Sequence, residues 1–318
     1  MITHPMQSKQ RPLIPTRAIE SFADAIKTAI EDGHNGIQVQ GRARDGKTRA
    51  TIYLEKHPSW LDEPTHMFRI TMLRRKNHSD TSFYKVIQLQ VGLVQHHQSS
   101  AANRIQQIVD CIIGECIAMG CHRSILFIDE AQQLSDDDFE YLTNLDNAMT
   151  EDGYELFCVF IHQTDDAKAE KRRKLSKLVE QLPPHVTGRY FLAEHVFSGL
   201  RGISDLQHAL DQYDSRLRFE GKSFTEYFAG QAFSKGWRLA SHAKDFVTAI
   251  SNIRKRSQLK GPADLSMKIF AVAVYRLLVR VAPDNPSFSG FDEKLIEQVL
   301  LDSGYLALEK ARQRQVAA

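Results

Sequence analysis

Residues Gly41-Arg42-Ala43-Arg44-Asp45-Gly46-Lys47-Thr48 follow the spacing G-x-x-x-x-G-K-[ST]. That spacing suits a loop that wraps phosphate oxygens in backbone N–H groups, because glycine admits the close approach. Lys47 is expected to reach the β- and γ-phosphates of a nucleotide, and the Thr48 hydroxyl to bind Mg2+. Gly41, Asp45, Gly46 and Arg49 complete the expected nucleotide contacts. Asp45 is the odd member, since a carboxylate beside phosphates is electrostatically awkward unless it points outward or pairs with a neighbouring Arg. The run Ile125-Leu126-Phe127-Ile128-Asp129-Glu130 supplies a partner site. An apolar strand there would deliver Asp129 to the metal and leave Glu130 to polarise an attacking water. Hydrolysis also needs a polar group on an adjacent strand to orient that water. His162 and Gln163, ending the run ELFCVFIHQ, are both candidates, and His162 could equally do no more than cap the strand.

These residues need a scaffold, and the patterning provides one. Ile19, Phe22, Ala23, Ile26 and Ile30 recur at helical spacing before Gly33, and GIQVQ then alternates as a short strand leading into the loop. TRATIYLEKH continues as a helix until Pro58. Strand, glycine-bounded loop and helix are the setting a phosphate-binding loop requires, and they disfavour a chance match. Residues 67–72 read as a second strand, SILFID and ELFCVFIHQ as strands buried on both faces, and RYFL as a last short strand. Helices are expected between them, including a basic one over about 167–182 that Pro183-Pro184 stops. From about residue 200 strands cease, and helices are expected at 204–213, 223–234, 238–250, 266–281 and 293–302. The expected architecture is therefore α/β, a parallel sheet sandwiched by helices and followed by an all-helical lid. The expected division is a tail over 1–15, a nucleotide-binding domain over 16–200, a lid over 201–282, and a C-terminal helix and tail over 283–318.

With 42% apolar and 25% charged residues, the 318-residue chain has the composition of a globular protein. No run of about 18 apolar residues is present, and the N-terminus lacks an apolar leader core, so a cytoplasmic protein with no membrane contact is expected. Cys111, Cys116, Cys121 and Cys158 are expected as buried free thiols, because Cys111 and Cys116 point to different faces of one helix. A net charge of +2 is too small for bulk-charge binding of nucleic acid. Three local clusters carry more weight: Arg74-Arg75-Lys76, residues 168–177 (KAEKRRKLSK) and Arg254-Lys255-Arg256. Each is more readily a solvated helix face or loop than a binding patch. Among them Arg74, Arg75 and Lys76, in a loop leaving a parallel strand, are favoured for contact with DNA phosphates.

The order of phosphate loop, DEAQ (Asp129–Gln132), a polar residue ending the next strand, an Arg before a short final strand and a helical lid resembles the AAA+ ATPases. The helix before the loop, the DEA-Q-x-L sequence and the lid start GLRGISDLQHALDQYD look most like the TnsC/TniB transposition regulators, over about residues 16–282. The resemblance implies ATP hydrolysis with Mg2+ and assembly into a homo-oligomeric ring or filament of about six or seven subunits per turn around duplex DNA. It also implies a link between a target-selection protein and a transposase. It makes Arg189 the matching arginine finger, with Arg172 and Arg173 next in line, and Arg238, in Gly236-Trp237-Arg238, the lid's sensor. The charged loop with Asp45, and His162-Gln163 where Thr or Asn is usual, depart from the family pattern. A helicase-loader or origin-type AAA+ protein, and a signalling switch without DNA contact, are the rival readings.

Overall fold

A computed structural model describes residues 4–8, 11–94, 99–163, 182–282, 288 and 290–317. Five strands, β1 (Gly36–Gly41), β2 (His66–Thr71), β3 (Arg123–Asp129), β4 (Glu155–Gln163) and β5 (Ala193–Val196), form one sheet in the order β2-β3-β4-β1-β5. Every pairing in it is parallel. Parallel strands are buried on both faces, and the apolar runs show it. Ile125, Phe127, Phe157, Val159 and Ile161 pack toward α1 (Arg17–Glu31) and α2 (Lys47–Lys56). Leu126, Ile128, Leu156, Cys158 and Phe160 face the opposite layer of α3 (Asp80–Gln90), α4 (Ala101–Met119), α5 (Asp136–Glu151) and α6 (Pro184–Tyr190). Helix starts are fixed by side chains: Thr16 Oγ1 accepts from the Ile19 amide at 3.4 Å, and Asp138 accepts from the Ser135 amide at 2.8 Å. The ladder register aligns Gly41 with Gln163 and Thr71 with Asp129, so the phosphate loop, the acids and Gln163 all emerge at one edge of the sheet.

RYFL is not a strand. Pro184 opens α6, as its fixed φ suits a first helical turn, and Arg189 and Tyr190 close that helix. The edge strand is the next segment, Ala193–Val196. The basic helix expected over 167–182 lies, apart from Leu182, outside the described residues, as do Arg172, Arg173 and the cluster at 168–177.

Beyond residue 200 lie α7 (Gly202–Asp211), α8 (Phe224–Phe228), α9 (Gly230–Ser234), α10 (Ala243–Arg256), α11 (Met267–Tyr275), α12 (Glu293–Asp302) and α13 (Tyr305–Ala317). A two-stranded hairpin, Arg218–Phe219 with Lys222–Ser223, interrupts the helices where only helices were expected. Glu220 and Gly221 make its turn, both at positive φ. One apolar cluster unites these helices apart from α9, and it contains Met6 and Ile14 as well as Leu300 and Tyr305. The segment before Thr16 is thus packed into the lid's core.

The four cysteines are free, and Cys111 is the one not fully buried. Among the described residues no three His, Cys, Asp or Glu side chains gather to hold a metal ion, and no helix is long and apolar enough to cross a membrane.

Candidate functional site

The loop after β1 turns back against the start of α2, and its glycines are dictated by space. A Cβ on Gly41 would sit 2.5 Å from the Phe197 carbonyl oxygen. Gly46 stands at φ +108°, with the Met267 side chain 3.1 Å from where a Cβ would be. Arg44, at φ 69°, takes the left-handed conformation that turns successive amides toward one side of a loop. Lys47 Nζ donates to the carbonyls of Gly41 at 2.6 Å and Arg42 at 3.0 Å, so its ammonium spans the loop's mouth. Desolvation by burial pushes its pKa down to about 8, partly countered by Asp45, Asp129 and Glu130. A polyanion at the loop's mouth would favour the charged form of that side chain.

Thr48 Oγ1 donates to Asp129 Oδ2 at 2.6 Å, across the gap between α2 and β3. Two hard oxygen donors at that separation, one anionic, fit the coordination habit of Mg2+ beside phosphates. Glu130 follows at φ 57°, its amide donating to Asp129 Oδ1 at 3.0 Å. That backbone twist swings the Glu130 carboxylate off the strand axis and into the same cavity. Gln132 holds it there: its Nε2 donates to Glu130 Oε2 at 2.6 Å, while its Oε1 accepts the Gln163 amide at 3.2 Å. Sequence reasoning quoted Gln132 within DEAQ without giving it a task. The signal was its place two residues beyond the acid.

One cavity of about 280 Å³ collects these groups. Lys47, Thr48, Asp129, Glu130 and Gln163 line its polar end. Leu13, Ile14, Ile19, Tyr213, Met267 and Ala271 line its apolar wall, which suits a flat heterocycle. Gly46 and Arg49 also border the cavity, and Arg49 donates to the Arg11 carbonyl. The stretch Arg11–Ile14, expected as part of a tail, is therefore part of the site. Its apolar Leu13-Ile14 pair between two prolines was the available hint.

Of the two water-orienting candidates, Gln163 borders the cavity and His162 does not. Residue alternation along β4 separates them: Gln163 shares the face of Ile161, toward α1 and α2, while His162 shares that of Phe160, toward the opposite layer. There His162 is 1% exposed, and neither ring nitrogen has a hydrogen-bond partner among the described residues. Burial, reinforced by the Lys47 charge, pushes its pKa down to about 3, so the ring is neutral.

Asp45 neither faces the cavity nor points to solvent. It is 1% exposed and ion-paired to Arg42 at 3.4 Å and Arg312 at 2.7 Å. Desolvation pushes its carboxyl pKa up, against the pull of Arg312 and Arg42. Arg238 is also elsewhere. Its guanidinium lies 3.7 Å over the Phe233 ring and donates to the Phe233 and Trp237 carbonyls at 2.9 and 2.8 Å, outside the cavity lining. The lid cation at the cavity is Lys268, in the first turn of α11. Its amide donates to the Arg44 carbonyl at 3.3 Å.

Arg189 sits in the last turn of α6, its Nε 3.3 Å from Asp146 Oδ2 and its Nη2 donating to Asn147 at 2.8 Å. Asn35, the residue before β1, donates to the same Asp146 oxygen at 3.5 Å. Arg189 is thus at the end of β1 opposite the phosphate loop. Within Arg74-Arg75-Lys76, Arg75 is committed to the fold: it pairs with the buried Asp138 and lies 5.5 Å from the Phe83 ring centroid. Arg74 and Lys76 are exposed, beside Leu73, which is 66% exposed. In the third cluster Arg254 is buried against Glu309 and Arg256 pairs with Glu297, leaving Lys255 exposed.

No protein-family model matches this chain, and no curated protein matches it by sequence. Solved structures do. The ORC2 protein of Aeropyrum pernix, in ADPNP-ADP complexes, superposes with a TM-score of 0.55 at 14% identity, over 93% of this chain and 70% of that one. The Drosophila ORC bound to DNA gives 0.45 at 10% identity (92% and 70%), and Thermotoga maritima RuvB 0.39 at 12% identity (92% and 70%). The sheet order, the helical layers and the likeness to ORC2 make this the AAA+ P-loop NTPase fold with a helical lid.

Proposed function

We propose that this chain is an ATP-hydrolysing AAA+ switch that assembles on duplex DNA and regulates transposition, linking target selection to a transposase. The observation that carries the enzymatic half is the 2.6 Å contact between Thr48 and Asp129, set in one cavity with Lys47, Glu130 and Gln163. A nucleoside triphosphate placed there has its base against the apolar wall and its phosphates at the loop. Lys47 balances charge on the β- and γ-phosphates, and the loop amides donate to their oxygens. Thr48 and Asp129 would hold Mg2+, which offsets further phosphate charge when bound. Glu130 takes a proton from the attacking water, Gln163 orients that water, and the products are ADP and phosphate. The fold likeness to ORC2, whose structure contains ADPNP and ADP, supports this nucleotide assignment.

Replacing Lys47 with Ala removes the cation from the loop's mouth. ATP affinity should fall by about 10²-fold or more, read by titration with a fluorescent ATP analogue. An unchanged affinity would mean that residues 41–48 are not the phosphate site.

The DNA half rests on the loop after β2, where Arg74 and Lys76 stand in solvent beside exposed Leu73. Because Arg75 pairs with buried Asp138, the informative variant is Arg74→Ala with Lys76→Ala, leaving Arg75 in place. Phosphate contacts release counterions, so affinity should fall with salt and ignore sequence. The double variant should lower the slope of log K against log salt by roughly two per subunit contact pair. Binding insensitive to both salt and this variant would remove the loop from the DNA interface.

The transposition setting comes from the sequence resemblance. An origin-type or helicase-loader role has a specific observation on its side, the likeness to ORC2 over 93% of the chain. ATP-dependent co-sedimentation with non-specific duplex DNA tests what the two readings share. Stimulation of a DDE-type transposase by the ATP-bound chain, against loading of a replicative helicase, separates them.

A further inference from the structure

The phosphate-binding loop is held from outside its own domain, by the last helix of the chain. Arg312 on α13 is 7% exposed, with Nη2 on Asp45 Oδ1 at 2.7 Å and donating to the Ala43 carbonyl, and Nη1 on Glu309 at 2.8 Å. Glu309 in turn binds Arg254 at 2.8 Å, and Arg254 donates to the Lys260 and Gly261 carbonyls at 2.9 and 2.8 Å. On the other side Arg42 joins Asp45 to Asp264, at 3.0 Å from the latter, with the exposed Arg201 at the rim. Three guanidiniums (Arg42, Arg254, Arg312) and three carboxylates (Asp45, Asp264, Glu309), each no more than 8% exposed, form one neutral buried set. It ties the loop to the lid and to α13.

Two consequences for the loop follow. The first is electrostatic. Asp45 lies one residue before the Gly46 amide, and without a partner its charge would oppose an incoming polyphosphate. Arg312 offsets that charge at hydrogen-bond distance, in a setting with little water to screen it. The second is geometric. The Ala43 C=O and the Arg44 N–H belong to one trans peptide unit and point in opposite directions. Drawing the Ala43 carbonyl toward Arg312 therefore turns the Arg44 amide away from α13, and Arg44 borders the cavity.

We propose that Arg312 is a positioning residue of the phosphate-binding loop, and that the packing of α13 thereby sets how tightly the chain holds a nucleoside triphosphate. The proposal rests on the reading of residues 41–48 as the ATP site. Of the α13 side chains described, residues 305–313, none lines the nucleotide cavity; the effect passes through Asp45 and the Ala43–Arg44 peptide.

The test is a titration of the full chain with a fluorescent ATP analogue, run for wild type, Arg312→Ala, Arg312→Lys, and the double variant Arg312→Ala with Asp45→Asn, each with a melting curve. Arg312→Ala should weaken binding by about 10- to 100-fold, as expected when one member of a buried ion pair is left alone. Arg312→Lys keeps the charge but not the fork, and should lie between. The double variant removes the stranded carboxylate and should recover most of the lost affinity, a coupling that loss of packing alone would not produce. Arg312→Ala that folds and binds as wild type does overturns the proposal. So does a double variant as weak as Arg312→Ala alone. If Arg312→Ala does not fold, the Lys and double variants decide by the same ordering. A wild-type chain that binds no ATP removes the underlying reading and this proposal together, which separates the two failures.

Discussion

Chains carrying Arg189→Ala should bind ATP as wild type does, yet hydrolyse it about 10³- to 10⁵-fold more slowly, the range an arginine finger supplies. The reason is distance. Arg189 is anchored to Asp146 and Asn147 beside Asn35, at the start of β1, whereas the phosphate loop leaves its other end. Six residues at about 3.3 Å each put roughly 20 Å between them, beyond any arginine's reach. As a finger, the guanidinium would have to act on a neighbouring subunit's phosphates. Its side chain is 28% exposed, and its tie to Asp146 orients it without sealing it from solvent. Mixing supplies the decisive readout. Glu130→Gln and Arg189→Ala chains are each expected to be inactive, but a mixed assembly contains interfaces where Glu130 of one subunit meets Arg189 of the next. Activity that returns on mixing places the finger in trans. Normal hydrolysis by Arg189→Ala alone would send the search to Arg172 and Arg173.

Glu130→Gln has the second largest expected effect, a turnover slower by about 10²- to 10⁴-fold with ATP binding retained. Gln fills the same space and can still accept from Gln132, but it cannot take a proton from water. The carboxylate's place in the cavity is fixed by a left-handed backbone and by the Gln132 bridge to β4, so little rearrangement is available to another base. His162 is no substitute, since it lies beneath the sheet's edge and burial holds it neutral. A steady-state ATPase rate within roughly twofold of wild type, less than any base contribution, would move proton transfer elsewhere.

What the sequence revealed divides by range of interaction. The phosphate loop, DEAQ and four of the five strands were legible because each is specified within ten or so residues, by glycine, by apolar runs and by breakers. β5 was missed because its Ala-Glu-His-Val carries an edge strand's mixed polarity, while the more apolar Tyr190 and Phe191 next to it are buried at a helix end. Arg75 looked like its neighbours, and only the tertiary approach of Asp138 takes it out of solvent. The lid cation was assigned to Arg238 on a local G-x-R pattern, yet stacking on Phe233 holds that side chain away and α11 brings in Lys268. The same blindness hid Arg312, far along the chain from the loop it touches. The oddity of Asp45 and its pairing with a neighbouring arginine, Arg42, were legible, but the second partner, Arg312, is one that only folding brings near.

The six buried charges around that loop also constrain how the chain can vary through descent. A neutral residue at any one of positions 42, 45, 254, 264, 309 or 312 strands an opposite charge in a dry setting, at a cost of several kcal/mol. A lineage that loses Asp45 is therefore expected to lose the arginine at 312 with it, or to replace both by apolar side chains of matching bulk. The positions should change as a linked group, although they lie at opposite ends of the sequence.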